Sequence, residues 1–254
     1  MRALGDVLFG LGRDEEALPY VRQAAQLFAQ LEDREAEAEV VARTATILER
    51  LASPSEAADA WQAVASLRRA QGDAKGELAA LEGLARTERQ RAASPEDAIP
   101  AFQAALTLAT TLGDRGREIA LHNTLGILEW QREKYLEALR HYEAALRLVR
   151  DHGGDRAQEG LLLNSLGVTL SRLRRHEEAR TSLEESVALN RESGERLLEA
   201  HALAALGDVW RATGRPGPAR ACFEQSLSLR RIIGDRSGEA AMLLRIASVD
   251  DPKE

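Results

Sequence analysis

Apolar residues in this chain recur at intervals of three and four, and the pattern repeats along the whole length. The clearest copy runs Ala138, Tyr142, Ala145, Leu146 and Val149, which places one apolar stripe on a helix. The reference alanine of this stripe returns at near-constant spacing, at Ala17, Ala57, Ala98, Ala138, Ala179 and Ala219. Self-similarity at a period of about 40 residues predicts a solenoid or array of helical units.

A further helix is predicted before each stripe, marked by a Leu-Gly pair or its replacement. These pairs stand at Leu4-Gly5, Thr44-Ala45, Leu84-Ala85, Leu125-Gly126, Leu166-Gly167, Leu206-Gly207 and Ile246-Ala247. We therefore predict an all-α chain, a right-handed solenoid of stacked antiparallel helix pairs. Its units are about 1–38, 39–78, 79–119, 120–160, 161–200 and 201–240, followed by a capping helix at 241–249 and a polar tail at 250–254. The abrupt start and unpaired last helix lead us to expect a piece of a longer protein.

Short polar joints separate the helices. Glycine followed by acidic residues is expected to end one unit and begin the next, at Gly72, Gly113, Gly153, Gly194 and Gly234. Ser53-Pro54 and Ser94-Pro95 carry helix-start chemistry, with serine as the cap and proline at the first helical position. Pro19 and Pro100 share a register two residues after the reference alanine, so we predict that both lie inside a second helix and bend it.

The composition fits this architecture and narrows the function. The chain is 44% hydrophobic but only 4% aromatic, which suits helices that pack through small residues. A formal net charge of -7, with charges interspersed along the helices, argues against a nucleic-acid partner. The start lacks the apolar core of a signal peptide and no apolar run is long enough for a membrane span, so we expect a cytoplasmic protein without a membrane partner.

No pattern for catalysis, a metal or a cofactor stands out. Cys222 is the sole cysteine and is expected to be a buried thiol rather than a reactive one. The five histidines lack ligand-type spacing with carboxylates or with Cys222, so a metal site is not expected. Gly10-Leu11-Gly12 is an isolated pair of glycines that we interpret as a joint, not as a phosphate loop.

The succession of Leu-Gly, an aromatic or aliphatic residue, and two spaced alanines resembles the tetratricopeptide repeat. In the clearest unit the matching residues are Leu125, Gly126, Ala138, Tyr142 and Ala145. The spacing of about 40 residues, with Gly-Asp-Arg between units, is similar to the longer repeats of kinesin light chains, Leu-Gly-Asn spindle-orientation adaptors and bacterial peptide-sensing regulators. The resemblance implies a superhelix whose first helices line a concave groove that binds a peptide or partner helix. The periodicity alone predicts only stacked helix pairs, and the binding role is what the resemblance implies.

The groove would be lined by a face of the first helices that we call the first-helix face. It comprises positions five, two and one before the leucine of each Leu-Gly pair, and two, five and six after it. These positions collect Arg2, Asp6, Glu39, Arg43, Glu49, Arg50, Glu82, Arg86, Arg89, Asn123, Trp130, Gln131, Asn164, Arg172, His201, Asp208, Arg211 and Arg245. Eight arginines against five acids make this face basic although the chain is acidic.

From this face we select a candidate peptide-binding set: Asn123, Asn164, Trp130, Arg172, Arg86, Arg89, His201 and Arg211. Asn123 and Asn164, at matching positions of adjacent units, would hold a peptide backbone through their amides. The arginines would take acidic side chains or a free carboxylate. The alternative is a solvated face of Glu-Arg pairs that contributes little. Trp130 is either an exposed aromatic anchor or packing at the corner between helices, whereas Trp61 and Trp210 occupy core positions.

The sequence therefore favours a non-enzymatic scaffold that binds a protein or peptide segment. Two alternatives stay open: a structural element that self-assembles through its open ends, or the sensor part of a larger regulatory protein.

Overall fold

The computed structural model describes residues 2–91 and 95–250. Every regular element within those ranges is a helix, which confirms the all-α prediction of stacked helix pairs. The helices that carry the Leu-Gly positions, here called first helices, are α1 (Arg2–Gly10), α3 (Arg34–Arg50), α5 (Ala74–Arg91), α7 (Arg115–Gln131), α9 (Arg156–Arg172), α11 (Arg196–Ala212) and α13 (Arg236–Asp250). The second helices are α2 (Asp14–Gln30), α4 (Pro54–Ala70), α6 (Ile99–Leu112), α8 (Tyr135–Asp151), α10 (His176–Ser193) and α12 (Pro216–Ile233).

The chain divides into two compact units. The first is Met1–Leu121 and the second is His122–Glu254, so that the division falls inside α7. In the second unit α9 packs against α10, α10 against α11, α11 against α12 and α12 against α13. The first helix α9 also contacts the next first helix, α11. The first helices α9 and α11 are thus neighbours as well as members of successive pairs.

A glycine on the first helix allows the two helices of a pair to approach closely. A methyl carbon placed on Gly126 would lie 2.6 Å from Tyr142 Cε1, nearer than any real contact of that kind. The same relation, with partners sixteen positions apart in the sequence, joins Gly5 with Val21, Gly167 with Leu183 and Gly207 with Phe223. Only a residue without Cβ fits beneath these side chains.

The reference alanines form the centre of the packing. All six, Ala17, Ala57, Ala98, Ala138, Ala179 and Ala219, have no exposed surface. Large side chains fill the layer around them, and Leu125, Leu128, Leu162, Leu163 and Phe223 are among the most deeply buried. Since burial of apolar surface is the main favourable contribution to folding, the repeated stripe that predicts the helices also supplies the core.

In α5, α9, α11 and α13, a carboxylate in the first turn of the first helix joins it to the preceding second helix. Glu199 lies 2.8 Å from Arg191, at the end of the preceding second helix. Equivalent pairs join Arg69 with Glu77, Arg150 with Glu159 and Arg231 with Glu239. A carboxylate is favoured at a helix amino terminus, and each guanidinium reaches it across the joint.

The joints between units agree with the glycine prediction. Gly72, Gly113, Gly153, Gly194 and Gly234 all have φ between 64 and 77°. The divisions expected between units fall inside first helices, for example between residues 38 and 39 within α3. The reference alanine marks the second helix and carries no information on where the first helix begins.

Two expectations for serine and proline are wrong. Ser53 stands at the amino-terminal cap of α4 and Pro54 at its first position, but the serine side chain makes no cap hydrogen bond. Pro19 lies inside α2 as expected. Pro100 lies at the start of α6, because residues Pro95–Ala98 form a separate 3-10 turn before it. Ser94 and the tail beyond Asp250 lie outside the described residues.

The close approach at Gly126 predicts a clear effect of substitution. Gly126→Ala should destabilise the second unit by about 1–3 kcal/mol, because the new methyl group displaces the Tyr142 ring. Gly116→Ala on the same helix is the matched control, since its site is open and helix propensity favours alanine there. Thermal unfolding followed by circular dichroism measures both. A Gly126→Ala variant as stable as Gly116→Ala would contradict the close approach.

Candidate functional site

The second unit contains a cavity of about 680 Å³ between α9, α11 and α13. It is lined by Val168, Ser171, Arg172, Arg174, His176, Ala205, Asp208, Arg211, Ala212 and Arg245. Eight of these ten residues stand at the positions that define the first-helix face, counted from Leu166, Leu206 and Ile246. Arg174 comes from the joint between α9 and α10, and His176 is the first residue of α10. Of the candidate binding set, Arg172 and Arg211 line this cavity.

The charge around this cavity is unbalanced. Asp208 is its single acidic lining residue, and it lies 3.3 Å from both Arg211 and Arg245. Arg172 and Arg174 form no ion pair with any residue in the described ranges. Four arginines against one aspartate leave an excess of three positive charges, with His176 counted as neutral.

Arg174 adopts a conformation that side chains rarely take. Its φ is 59°, in the left-handed region; the equivalent joints carry Gly12 and Gly214 at φ 74 and 71°, and Ala52 and Glu133 at φ 54 and 59°. Left-handed backbone costs a non-glycine residue about 1–2 kcal/mol. The joint therefore presents a guanidinium to the cavity at a position where glycine fits better.

Trp130 packs between neighbouring side chains rather than standing free as an anchor. Its ring is half-buried, with the Arg172 guanidinium 5.7 Å above the ring centroid and Tyr135 meeting it edge-on at 6.1 Å. The indole Nε1 is buried and makes no hydrogen bond with the described residues. These contacts favour packing at the corner between α7 and α8. They also hold Arg172, since a cation over an indole face is attracted to it.

Asn123 on α7 and Asn164 on α9 are both half-buried. The Oδ1 atom of each is buried and accepts no hydrogen bond from any described residue. A buried polar atom left without a partner costs about 1–3 kcal/mol, so most such atoms in proteins are paired. Two equivalent amides at matching positions of adjacent repeats share this state.

The remaining residues of the candidate set lie elsewhere. His201 on α11 does not line the cavity, and partial burial together with nearby Arg230 lowers the pKa of its imidazole. Arg86 and Arg89 belong to the first unit, where Arg86 lies 3.2 Å from Glu49. Sequence reasoning missed Arg174 and His176 because neither the joint residue nor the first residue of α10 follows the helical positions counted from the Leu-Gly register.

In the first unit the first-helix face is largely paired. Arg43 forms an ion pair with Asp6, and Arg2 forms one with Glu39. Glu49 accepts hydrogen bonds from Trp61 Nε1 at 3.1 Å and Thr87 Oγ1 at 2.6 Å, besides its pair with Arg86. The alternative of a solvated face of Glu-Arg pairs fits this unit. Among the arginines of this face, Arg89 in the first unit and Arg172 at the cavity of the second unit form no ion pair within the described residues.

Cys222 is buried, as expected, and desolvation raises the pKa of its thiol to about 11. A thiol with such a pKa is a poor nucleophile at neutral pH. Among the described residues no group of three or more His, Cys, Asp or Glu side chains could hold a metal ion. None of the helices in residues 2–91 and 95–250 is both long and apolar enough to cross a membrane.

Helix pairs that recur at this spacing, with a small residue of the first helix beneath a large side chain of the second, are characteristic of helical repeat proteins. Residues 116–192 and 158–232 match the tetratricopeptide repeat family model. The matched segment consists of tetratricopeptide repeats, and the resemblance predicted from the sequence is confirmed. Such repeats are scaffolds for protein interaction and are generally not enzymes. A search of curated proteins gives no match.

Solved structures share the fold at low identity. BtubC (BKLC) from P. vanneervenii is 17% identical with a TM-score of 0.68, over 87% of this chain and 92% of that one. A signal transduction ATPase with numerous domains and a tetratricopeptide repeat sensor, from Pyrococcus horikoshii, is 16% identical with a TM-score of 0.76, over 99% of this chain and 38% of that one. A Rap protein complexed with Competence and Sporulation Factor is 12% identical with a TM-score of 0.52, over 98% and 73%. These identities show the fold alone.

The contacts of Trp130 predict that it serves stability. Trp130→Ala should lower the stability of the second unit by about 2 kcal/mol, because packing against Tyr135 and Arg172 is lost. Ile127→Ala, a truncation of an exposed side chain on the same helix, should change stability far less. Urea unfolding at neutral pH compares the two variants. Equal urea midpoints for the two variants would contradict a packing role for Trp130 and favour an exposed aromatic anchor.

Proposed function

We propose that the chain is a non-enzymatic binding module that holds a protein or peptide segment along the first-helix face of its second unit. The observation that carries this proposal is the pair of buried amide oxygens, Asn123 Oδ1 and Asn164 Oδ1, which lack a partner among the described residues. An extended segment offers backbone N–H groups at regular intervals. Each asparagine can accept from one N–H and donate to one carbonyl.

The arginines of the same face supply the selectivity. Arg172 ends α9, the helix that carries Asn164, and its guanidinium is free of any carboxylate within the described part of the chain. A guanidinium binds a carboxylate through two parallel hydrogen bonds. The partner segment is therefore acidic, or ends in a free carboxylate, where it meets α9 and α11.

The likeness to a Rap protein complexed with Competence and Sporulation Factor supports the use of this fold for such binding. It concerns that protein, and the proposal for this chain rests on its own residues. The partner of this chain can be identified by capture on the intact chain, followed by mass spectrometry of the captured protein.

A second candidate function is self-assembly through the last helix. Leu243 and Leu244 on α13 are 46% and 73% exposed, whereas Leu203 and Ala204, forty residues earlier on α11, are 3% and 4% exposed. The face that a following helix covers on α11 is open on α13. Sedimentation across a range of concentrations distinguishes the two functions, because a peptide binder stays monomeric when its partner is absent.

The proposal predicts the result of a triple substitution. Asn123→Ala, Asn164→Ala and Arg172→Ala together should reduce affinity for the captured partner more than a hundredfold, since several hydrogen bonds are lost, one of them to a charged group. Helicity should stay unchanged. Surface plasmon resonance and circular dichroism measure the two quantities.

The matched control changes three exposed polar residues on second helices: Arg147→Ala, Thr181→Ala and Gln225→Ala. It should retain the affinity of the unchanged chain. If the first triple variant binds as well as the control, the partner uses another surface.

A further inference from the structure

The arginine-lined cavity has a chemistry more specific than attraction to any acid. We infer that the cavity formed by Arg172, Arg174, Arg211 and Arg245 binds a phosphate monoester carried on the bound segment. This inference rests on the proposed function, because it names the side chain that the segment places between α9 and α11.

The charge of the cavity favours a phosphate over a carboxylate. Asp208 engages Arg211 and Arg245 through one carboxylate oxygen each, at 3.3 Å in both cases. The excess of three positive charges around the cavity is more than one carboxylate can balance. A phosphate monoester carries nearly two negative charges at neutral pH and three acceptor oxygens, which suits this excess better.

The N–H donors of the arginines also suit an anion with several acceptor oxygens. Each guanidinium has five N–H donors in a planar fork. Arg172 and Arg174 have no carboxylate partner among the described residues, so their forks are available to one anion. His176 lies on the same lining, and its Nδ1 is buried without a hydrogen-bond partner in the described ranges. His176 thus adds a polar side chain to the lining that carries Arg172 and Arg174.

The size of the cavity suits a phosphate that is carried on a peptide side chain. A cavity of about 680 Å³ is larger than a single anion needs, and it accommodates a side chain with its adjoining backbone. Val168, Ala205 and Ala212 line it with small or apolar groups. Such residues let a chain approach closely while the arginines meet its terminal phosphate.

A substitution at Arg174 can test phosphate binding without lowering the stability of the fold. Its left-handed backbone is the conformation that glycine adopts at the same joint in other pairs. Arg174→Gly should therefore keep or raise the unfolding temperature while removing one free guanidinium. Arg196→Gln is the matched control, because Arg196 is exposed on α11, outside the cavity lining, and loses the same charge.

The test is isothermal titration calorimetry at constant ionic strength. The probes are inorganic phosphate and three capped pentapeptides of alanine with phosphoserine, glutamate or serine at the centre. The phosphoserine peptide should bind at least about tenfold more tightly than the glutamate peptide, and inorganic phosphate should compete with it. Arg174→Gly should weaken phosphoserine binding about tenfold, whereas Arg196→Gln should change it less than twofold.

Equal binding of the phosphoserine and glutamate peptides, or an Arg174→Gly variant with unchanged affinity, would overturn the inference. Failure of the proposed function has a different signature. If the captured partner binds equally before and after phosphatase treatment but is lost in the Asn123→Ala and Asn164→Ala variant, the phosphate site is wrong and the binding face stands. If phosphoserine binds as expected but the asparagine variant retains the partner, the binding face is wrong.

Discussion

The close approach between the two helices of each pair is the constraint on which the rest depends. Gly126 beneath Tyr142 and Gly207 beneath Phe223 leave no room for a Cβ, so each ring rests on the backbone of the first helix. The ring then fixes the distance and rotation of the pair. Because a first helix cannot rotate about its axis without displacing the side chain packed on its glycine, the first-helix face is fixed as well. The contact of Gly126 with Tyr142 fixes Asn123, and the contact of Gly167 with Leu183 fixes Asn164 and Arg172.

The pairs differ where the small residue changes. Ala45 stands at the glycine position of α3, and the partner ring of that pair, Trp61, packs on Gly83 of the next first helix. From there its Nε1 donates to Glu49, which also pairs with Arg86. The Glu49 carboxylate is thus held in structural contacts and offsets the charge of Arg86. The second unit has no such carboxylate beside Arg172 or Arg174 within the described residues. The pair in which alanine replaces glycine therefore also has a carboxylate that pairs with an arginine of the first-helix face, whereas Arg172 and Arg174 have none in the described part of the chain.

Much of the fold could be predicted from the sequence because local and repeated signals agree. An alanine at near-constant spacing, each copy fully buried, identifies the second helices. The ion pairs between Arg191 and Glu199 and their equivalents recur with the same period, yet isolated charges in a chain that is 30% charged carry no signal without the fold. The start of α6 could not be predicted, since register alone places Pro100 inside a helix and the preceding 3-10 turn moves it to the beginning.

The site was predicted less completely. Helical positions from the Leu-Gly register place Arg172, Asp208, Arg211 and Arg245 on one face, and all four line the same cavity. They cannot locate Arg174 or His176, whose place depends on the backbone of a joint. Nor can they show that Trp130 is held between Tyr135 and Arg172, because that contact depends on the turn between α7 and α8.

The central claim is that the first-helix face of the second unit is the surface that meets a partner. Site-specific photo-crosslinking tests it most directly, with p-benzoylphenylalanine placed at Ser171 in the cavity lining or at Gln225 on the exposed side of α12. The account predicts a crosslink to the purified partner from position 171 and none from position 225. A crosslink from position 225 with none from position 171 would contradict it.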